Sequence, residues 1–447
     1  MTGPTRTVPS LAKPKALKLP AVSDTTLDNG LRVLAVRRAG VPLVEVRLRV
    51  PFGAPTGKGG PAHVAKASLL ADTLLMGTDR RDAGQLARDL QAVGGMLSVG
   101  ADADRLGFGG SVLVSGFPAF LELVAEVLTS ASYPKHEVVG ERDRLLQELA
   151  IHRSSAGVMA REALLARMYG SHPYARDLPL AEDVEAVTPA ALRGLHAKRV
   201  VPSGSVLTVV GDVTPAKATA MVEKALRGWL PGSPAVVVPP APAQQGRTAL
   251  LVDRPGSVQT TIRFGGAAPS RTSPDYAATA LANLVFGGYF SSRWVANIRE
   301  DKGYTYSPHS GLDHPSAGSR FVAGADVATH VTAPSLLETL YELGRIATVP
   351  VGQEELDQAR RYALGTLALS TASQAGLAGQ VSQLAGAGLP LSWLREHSKA
   401  LQEVTVEDVL EAAGRWLAPT ALTPVLVGDT ATVEDSLRAL VDLELAG

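Results

Sequence analysis

The sequence predicts an α+β fold built twice: two homologous αβ-roll units, each an antiparallel-rich sheet with helices on one face, joined by a linker. Three observations carry that expectation. Residues 187–212, VTPAALRGLHAKRVVPSGSVLTVVGD, align without a gap to residues 404–429, VTVEDVLEAAGRWLAPTALTPVLVGD, at a constant offset of 217. The segment 230–247, LPGSPAVVVPPAPAQQGR, carries five prolines in 18 residues, so neither a helix nor a central strand continues through it. Within each unit, strands come first, helices follow and a strand returns. The expected organisation is a flexible N-terminal tail over 1–24, a first αβ domain over 25–230, a Pro-rich linker over 231–247 and a second αβ domain over 248–447.

In chain order, LRVLAV (31–36) and LVEVRLRV (43–50) read as strands, because they are rich in β-branched residues and Gly40-Val41-Pro42 turns the chain between them. Pro61 to Thr78 reads as a helix: Val64, Ala67, Leu70, Leu74 and Leu75 recur at three- and four-residue spacings, and Gly77 stands where a helix would stop. A polar-start helix is expected around 81–93, then paired strands from Gly94 and over Arg105 to Val114. Amphipathic stretches follow at 117–131, 136–154 and 157–169. The loop Gly170-Ser171-His172-Pro173-Tyr174 breaks them, and a helix near 188–198 leads into a strand at 206–212. A shorter internal match places 43–55 on 257–269 at an offset of 214, setting Arg49 on Arg263 and Pro55 on Pro269.

Composition excludes several classes. The chain has 447 residues, with 43 Lys plus Arg against 43 Asp plus Glu, and such a balance gives no electrostatic reason for a nucleic-acid partner. It has no cysteine, so disulfides and thiolate ligands are out. The first 20 residues are proline-rich and basic without the apolar core of a secretory signal, and no run of 18 apolar residues occurs. A soluble cytoplasmic protein without a membrane span is expected.

The segment PAHVAKASLLADTLLMGT (61–78), preceded by Gly59-Gly60, resembles the first motif helix of the pitrilysin/insulinase family of zinc peptidases, which reads roughly AHxxEHxxxxGT. Counting back from Gly77-Thr78, the positions of His-x-x-Glu-His are here Ser68-Leu69-Leu70-Ala71-Asp72. Both histidine ligands and the general base are therefore missing. A catalytic zinc site needs about three protein ligands and an open position for water. Serine is a poor zinc ligand, Ala71 cannot take a proton, and a carboxylate set of Asp72 and Glu148 suits magnesium or calcium better than zinc. Glu148 lies 76 residues after Asp72, where the resemblance implies the third ligand, and Glu141 fits the family's Glu-Arg pattern. Glu141 and Glu148 share one helix face; read without the family, they are a solvated face or buried partners of Arg142 and Arg144.

The segment VFGGYFSSRWVANIREDKGYTYSPHSG (285–311) is similar to the family's GGGxSSRLxxxIREKxGLxYxV, which implies that Arg299 and Tyr306 are the Arg/Tyr pair lying across from the zinc in active relatives. A guanidinium can hold a substrate carbonyl and a phenol can donate to the oxyanion formed in peptide hydrolysis. The competing reading is packing of a helix-end Arg and a strand Tyr. Ser291, Ser292 and Arg293 are expected to cap or shape a turn at Gly287-Gly288. Other signals fail: GAPTGKG (53–59) is one residue short of a phosphate-binding loop, and SxxK at Ser10–Lys13 and Ser132–Lys135 is a frequent chance match. No histidine lies four residues from another, His63 reads as a surface or helix-start residue, and His172-Pro173-Tyr174 reads as structural.

The resemblance implies two related αβ halves arranged as a clam shell and a non-catalytic subunit, binding no metal itself, as in the alpha subunit of mitochondrial processing peptidase and bacterial two-chain relatives. Its partner would be a homologous HxxEH-containing chain that holds the zinc, and its substrate an extended peptide. Two alternatives stay open: a scaffold member of the family, homodimeric when alone, and an independent peptidase with another metal arrangement.

Overall fold

The computed structural model describes residues 17–55, 59–233, 236–244 and 246–446. Most of the expected tail with Ser10–Lys13, the centre of GAPTGKG, and Pro234, Ala235 and Gln245 of the expected linker lie outside the described residues. Two six-stranded sheets organise the chain. The first holds β1 (Ser23–Thr26), β2 (Arg32–Arg37), β3 (Leu43–Pro51), β4 (Gly95–Ala101), β5 (Arg105–Leu113) and β6 (Val206–Gly211), in the spatial order β1-β2-β6-β3-β5-β4. The second holds β7 (Ala249–Asp253), β8 (Gln259–Ala268), β9 (His309–Asp313), β10 (Ser319–Ala328), β11 (Thr423–Gly428) and β12 (Leu443–Leu445), in the order β12-β7-β11-β8-β10-β9. In both, the last long strand enters parallel to one neighbour and antiparallel to the other.

The duplication read from the sequence is therefore structural. Helix Pro189–Arg199 and strand β6 map onto helix Val406–Trp416 and strand β11 with bounds that coincide at the same offset. Thr188 and Thr405 occupy the same N-cap, each accepting from the backbone N–H three residues on. The shorter match needs correction. The strand registers place Arg47, not Arg49, opposite Arg263: Glu45 faces Val210 as Thr261 faces Val427. Arg47 donates to the carbonyls of Val46 and Gly110, and Arg263 repeats this with Ile262 and Ala325. Sequence identity favoured the wrong arginine because two stand two residues apart on one face of β3.

Each sheet buries both faces. On β2, Val33 and Ala35 join the core formed with their own half's helices, while Leu34 and Val36 point the other way. That second face is covered by a helix from the other half of the chain, Gln374–Gly386, whose Leu377, Val381 and Leu384 pack on it. Reciprocally, helix Ala156–Tyr169 of the first half lays Leu164, Leu165 and Met168 against Val425 and Val427 of β11. The single-face arrangement expected from the sequence thus describes each half's own helices; the other face is closed by exchange. Leu17, Leu19 and Val22, assigned to the tail by sequence, pack at the margin of the first exchanged cluster.

The exchanged contacts are complementary. Ser155 and Ser373 precede the two helices at equivalent positions, which makes Met168 the counterpart of Gly386, and the strand registers make Arg49 the counterpart of Gly265. A Cβ on Gly265 would lie 2.4 Å from the Met168 sulfur, and one on Gly386 would lie 2.4 Å from the Arg49 guanidinium carbon. Each contact pairs one large side chain with one glycine, large on the helix in one half and large on the strand in the other. We expect Gly265→Leu to cost about 1–3 kcal/mol through overpacking, and Met168→Ala in the same chain to recover part of it, read as urea midpoints.

Candidate functional site

The helix that carries the degenerate motif, Gly59–Thr73, packs against the helix Lys135–Arg153. It stops four residues before Gly77, which sits at φ +143° in a short bridge to Asp82 rather than at the helix end. Its Leu69, Leu70 and Ala71 are buried, so the motif's centre is core. Ser68 returns its hydroxyl to the Val64 carbonyl at 3.1 Å, one turn back. His63, expected as a surface or helix-start residue, stands near the helix start but buried, its ring tilted against Phe52 at 5.3 Å and bonded through Nε2 to the Phe52 carbonyl at 2.8 Å; burial pushes its pKa down. Its position among hydrophobic residues gave no cue to that carbonyl, which arrives from the end of β3.

Asp72, Glu141 and Glu148 do come together, around a cation that is a side chain. Arg144 reaches Glu148 at 2.5 Å, donates from Nε to Glu141 at 2.6 Å, and stands 3.7 Å from Asp72. The two glutamates partner Arg144 and not Arg142, and not as buried residues, since the Glu148 side chain is 42% exposed. The Asp72 carboxyl is pushed up to about 6 by burial, with Arg144 opposing and the two glutamates adding to the rise. The donor set does not fit zinc: it offers no imidazole, no general base at position 71, and a guanidinium already saturating the carboxylates. Among the described residues, no group of three or more His, Asp or Glu side chains is arranged to hold a metal ion.

The second predicted cluster lies on the stretch 284–306, where two π-helical turns, Leu284–Gly288 and Ala296–Asp301, flank the short helix Arg293–Val295. The π turns and the glycines have a packing cause. A Cβ on Gly287 would come within 2.9 Å of the Trp294 ring, and one on Gly288 within 2.6 Å of Asn283. Trp294 is fully buried, stacked on Phe286 at 5.1 Å, and donates its indole N–H to Thr339. Two supporting roles therefore change. Gly287 and Gly288 end a π-helical turn instead of forming a loop turn, and Ser292, 1% exposed, makes no side-chain cap bond. Arg293 pins the segment to helix Gln353–Ser370 by two 2.6 Å bonds to Glu355, while Ser291 is exposed.

Arg299 and Tyr306 are brought together. The Arg299 guanidinium carbon lies 4.9 Å from the Tyr306 ring centre and 4.7 Å from that of Phe290, and its Nε meets Glu300 at 3.1 Å. Tyr306 is 81% exposed and Phe290 58% exposed, so two aromatic faces bracket a guanidinium at the surface. Phe290 was missed in the sequence; its signal was an aromatic two residues after the Gly-Gly pair and nine before Arg299. Among the described residues no hydrogen bond or ion pair links this trio to the Asp72–Arg144 cluster. His172 and Tyr174 are structural: His172 bonds the Pro239 carbonyl at 2.8 Å, and the Tyr174 hydroxyl donates to Asp104 and accepts from the Ala317 N–H.

Comparison with known proteins agrees with this geometry. The family model described as Insulinase (Peptidase family M16) matches residues 60–181, and that described as Peptidase M16 inactive domain matches residues 186–362. An uncharacterized zinc protease of Mycobacterium tuberculosis is 27% identical over 425 residues, covering 93% of this chain and 96% of that protein. A crystal structure of a peptidase M16 inactive domain from Pseudomonas fluorescens superposes with a TM-score of 0.84 at 27% identity, over 92% of this chain and 98% of that one. A probable mitochondrial-processing peptidase subunit beta of Arabidopsis thaliana is 24% identical over 282 residues, 61% of this chain and 52% of that protein.

Because the Asp72 carboxyl is raised from 3.8 to about 6 in the fold, it favours the native state at low pH and loses that contribution as pH rises through 6. Asp72→Asn should therefore gain stability over the parent between pH 4.5 and 7.5. Arg144→Gln should do the opposite, losing more at pH 7.5, where three carboxylates face each other unneutralised. Urea unfolding at both pH values reads each difference.

Proposed function

The chain belongs to the insulinase family of peptidases, M16, as an inactive member without the HxxEH motif, and from that premise we propose that it is the substrate-binding, non-catalytic subunit of a two-chain zinc peptidase. The observation that carries this reading is the surface trio in which Phe290 and Tyr306 hold the Arg299 guanidinium between them. Such stacking leaves the guanidinium's outer N–H groups free to donate while limiting its rotation, which lowers the entropy lost when a carbonyl binds. The Tyr306 hydroxyl stands ready as a second donor. Arg299 would grip the substrate carbonyl, and Tyr306 would donate to the oxyanion as water adds.

Water activation and the zinc belong, in this proposal, to a homologous HxxEH-bearing partner. The exposed aromatic pair supports an approach by such a partner, because large apolar side chains at a surface gain free energy when covered. That the Arabidopsis relative is by name a subunit supports a multichain assembly. The substrate would be an unfolded peptide lying as an added strand on the partner's sheet edge, where backbone bonds give affinity with little sequence preference. No described helix is long and apolar enough to cross a membrane, and we place the pair in the cytoplasm.

Purification from the native host should bring down a homologous chain with intact HxxEH; stable homodimers without one would favour a scaffold role. In the reconstituted pair, Arg299→Ala and Tyr306→Phe should each lower the rate of peptide cleavage by roughly 10- to 1,000-fold. Sedimentation should show the dimer intact. Unchanged turnover in both variants would refute the assigned roles.

A further inference from the structure

A cavity of about 620 Å³ opens between the two halves, away from both clusters described above. Five arginines line it: Arg49, Arg105 and Arg176 from the first half, with Arg271 and Arg320 from the second. Two are neutralised, Arg105 by Asp102 at 2.9 Å and Arg320 by Asp313 at 3.1 Å. The remaining carboxylates of the wall are engaged elsewhere. Asp177 pairs with Arg161 at 2.9 Å, and Asp104 accepts from the Tyr174 hydroxyl at 2.6 Å and from the Ser316 N–H at 2.9 Å. His314, pushed down to about 4 by burial with Arg271 adding to the effect, is neutral near pH 7.

Arg49, Arg176 and Arg271 are thus left over. Among the described residues none of the three has a carboxylate within ion-pair distance, and none donates a hydrogen bond to a protein acceptor; Arg271 only stacks on Trp393, at 5.6 Å. Arg176 holds its Nη1 out of water with no partner. A buried guanidinium N–H without an acceptor is costly, and these three cations share the wall with one carboxylate that no cation pairs, Asp104, which leaves the cavity net positive. Arg49 is fixed in place by its seat against Gly386 of the exchanged helix. An acceptor that removes these costs at once must carry negative charge on more than one group and fit the cavity.

We propose that this cavity binds a small polyanion, a molecule with two or more carboxylate or phosphate groups, which bridges Arg49 and Arg176 of the first half to Arg271 of the second. The bidentate geometry of guanidinium suits both anion classes. Because its arginines come from both halves, the bound anion ties them together, a role separate from peptide cleavage and independent of any partner chain.

The test is calorimetric titration of the full chain with citrate and with inorganic pyrophosphate, at constant ionic strength held with sodium chloride. Thermal melting is followed in parallel. At least one of the two should bind with one site per chain and raise Tm as its concentration rises. Citrate alone would assign polycarboxylates, and pyrophosphate alone would assign phosphates. Arg176→Gln and Arg271→Gln should each weaken binding by at least about tenfold. Arg438→Gln, which removes an exposed pair with Glu434 and a bond to the Leu443 carbonyl, both away from the cavity, should leave it unchanged. If Arg176→Gln does not fold, Arg271→Gln carries the comparison, since Arg271 makes no hydrogen bond to the protein. No binding of either anion beyond the chloride control, or equal affinity in Arg271→Gln and Arg438→Gln, would overturn the proposal.

Discussion

Everything in this fold depends on two central strand sets being buried on both faces when each half supplies helices for only one. Strands β2, β6 and β11 are continuous hydrophobic runs, and water on either face would expose several Val and Leu side chains worth about 1.5–3 kcal/mol each. The exchange of one helix per half removes that exposure. It also couples the halves: the same helices that complete the cores form the walls of the cavity between them, and the Tyr174–Asp104–Ser316 bonds cross at its rim.

At the degenerate motif, electrostatics rather than packing decides the outcome. Three carboxylates converge from two helices, a geometry that in isolation is repulsive. One arginine within the same helix as two of them resolves it. An internal guanidinium needs no uptake from solvent and fixes its geometry through three ion pairs, but it has no open coordination position. The cluster therefore sets one positive charge where a divalent metal would set two, and has none of a metal centre's reactivity.

Much of this was legible in the sequence. The strands and helices of the first half fell close to their expected positions because their periodicities are strong, and the 187–212 repeat fixed the duplication. The Arg299–Tyr306 pairing and the nearness of Asp72 to Glu148 were legible through the family resemblance of their segments, and the shared face of Glu141 and Glu148 through their spacing. The helix exchange was not, because an amphipathic helix records that it has a partner but not which sheet the partner belongs to. The Arg47–Arg263 equivalence was hidden because a two-residue slip preserves every side chain's face. Phe290 could not be weighed because an aromatic two residues after Gly-Gly reads equally as core or surface until the π turns orient it.

Those π turns have a consequence for how the surface trio is encoded. A π turn accommodates one more residue than an α turn, and an α-helix advances about 100° per residue, so removing a single residue from 296–301 would relax it to α-helix. Arg299 would then swing roughly a quarter turn away from Phe290. The alignment of these rings is thus written in residue count as much as in residue identity, and a one-codon deletion there is a more severe change than many substitutions.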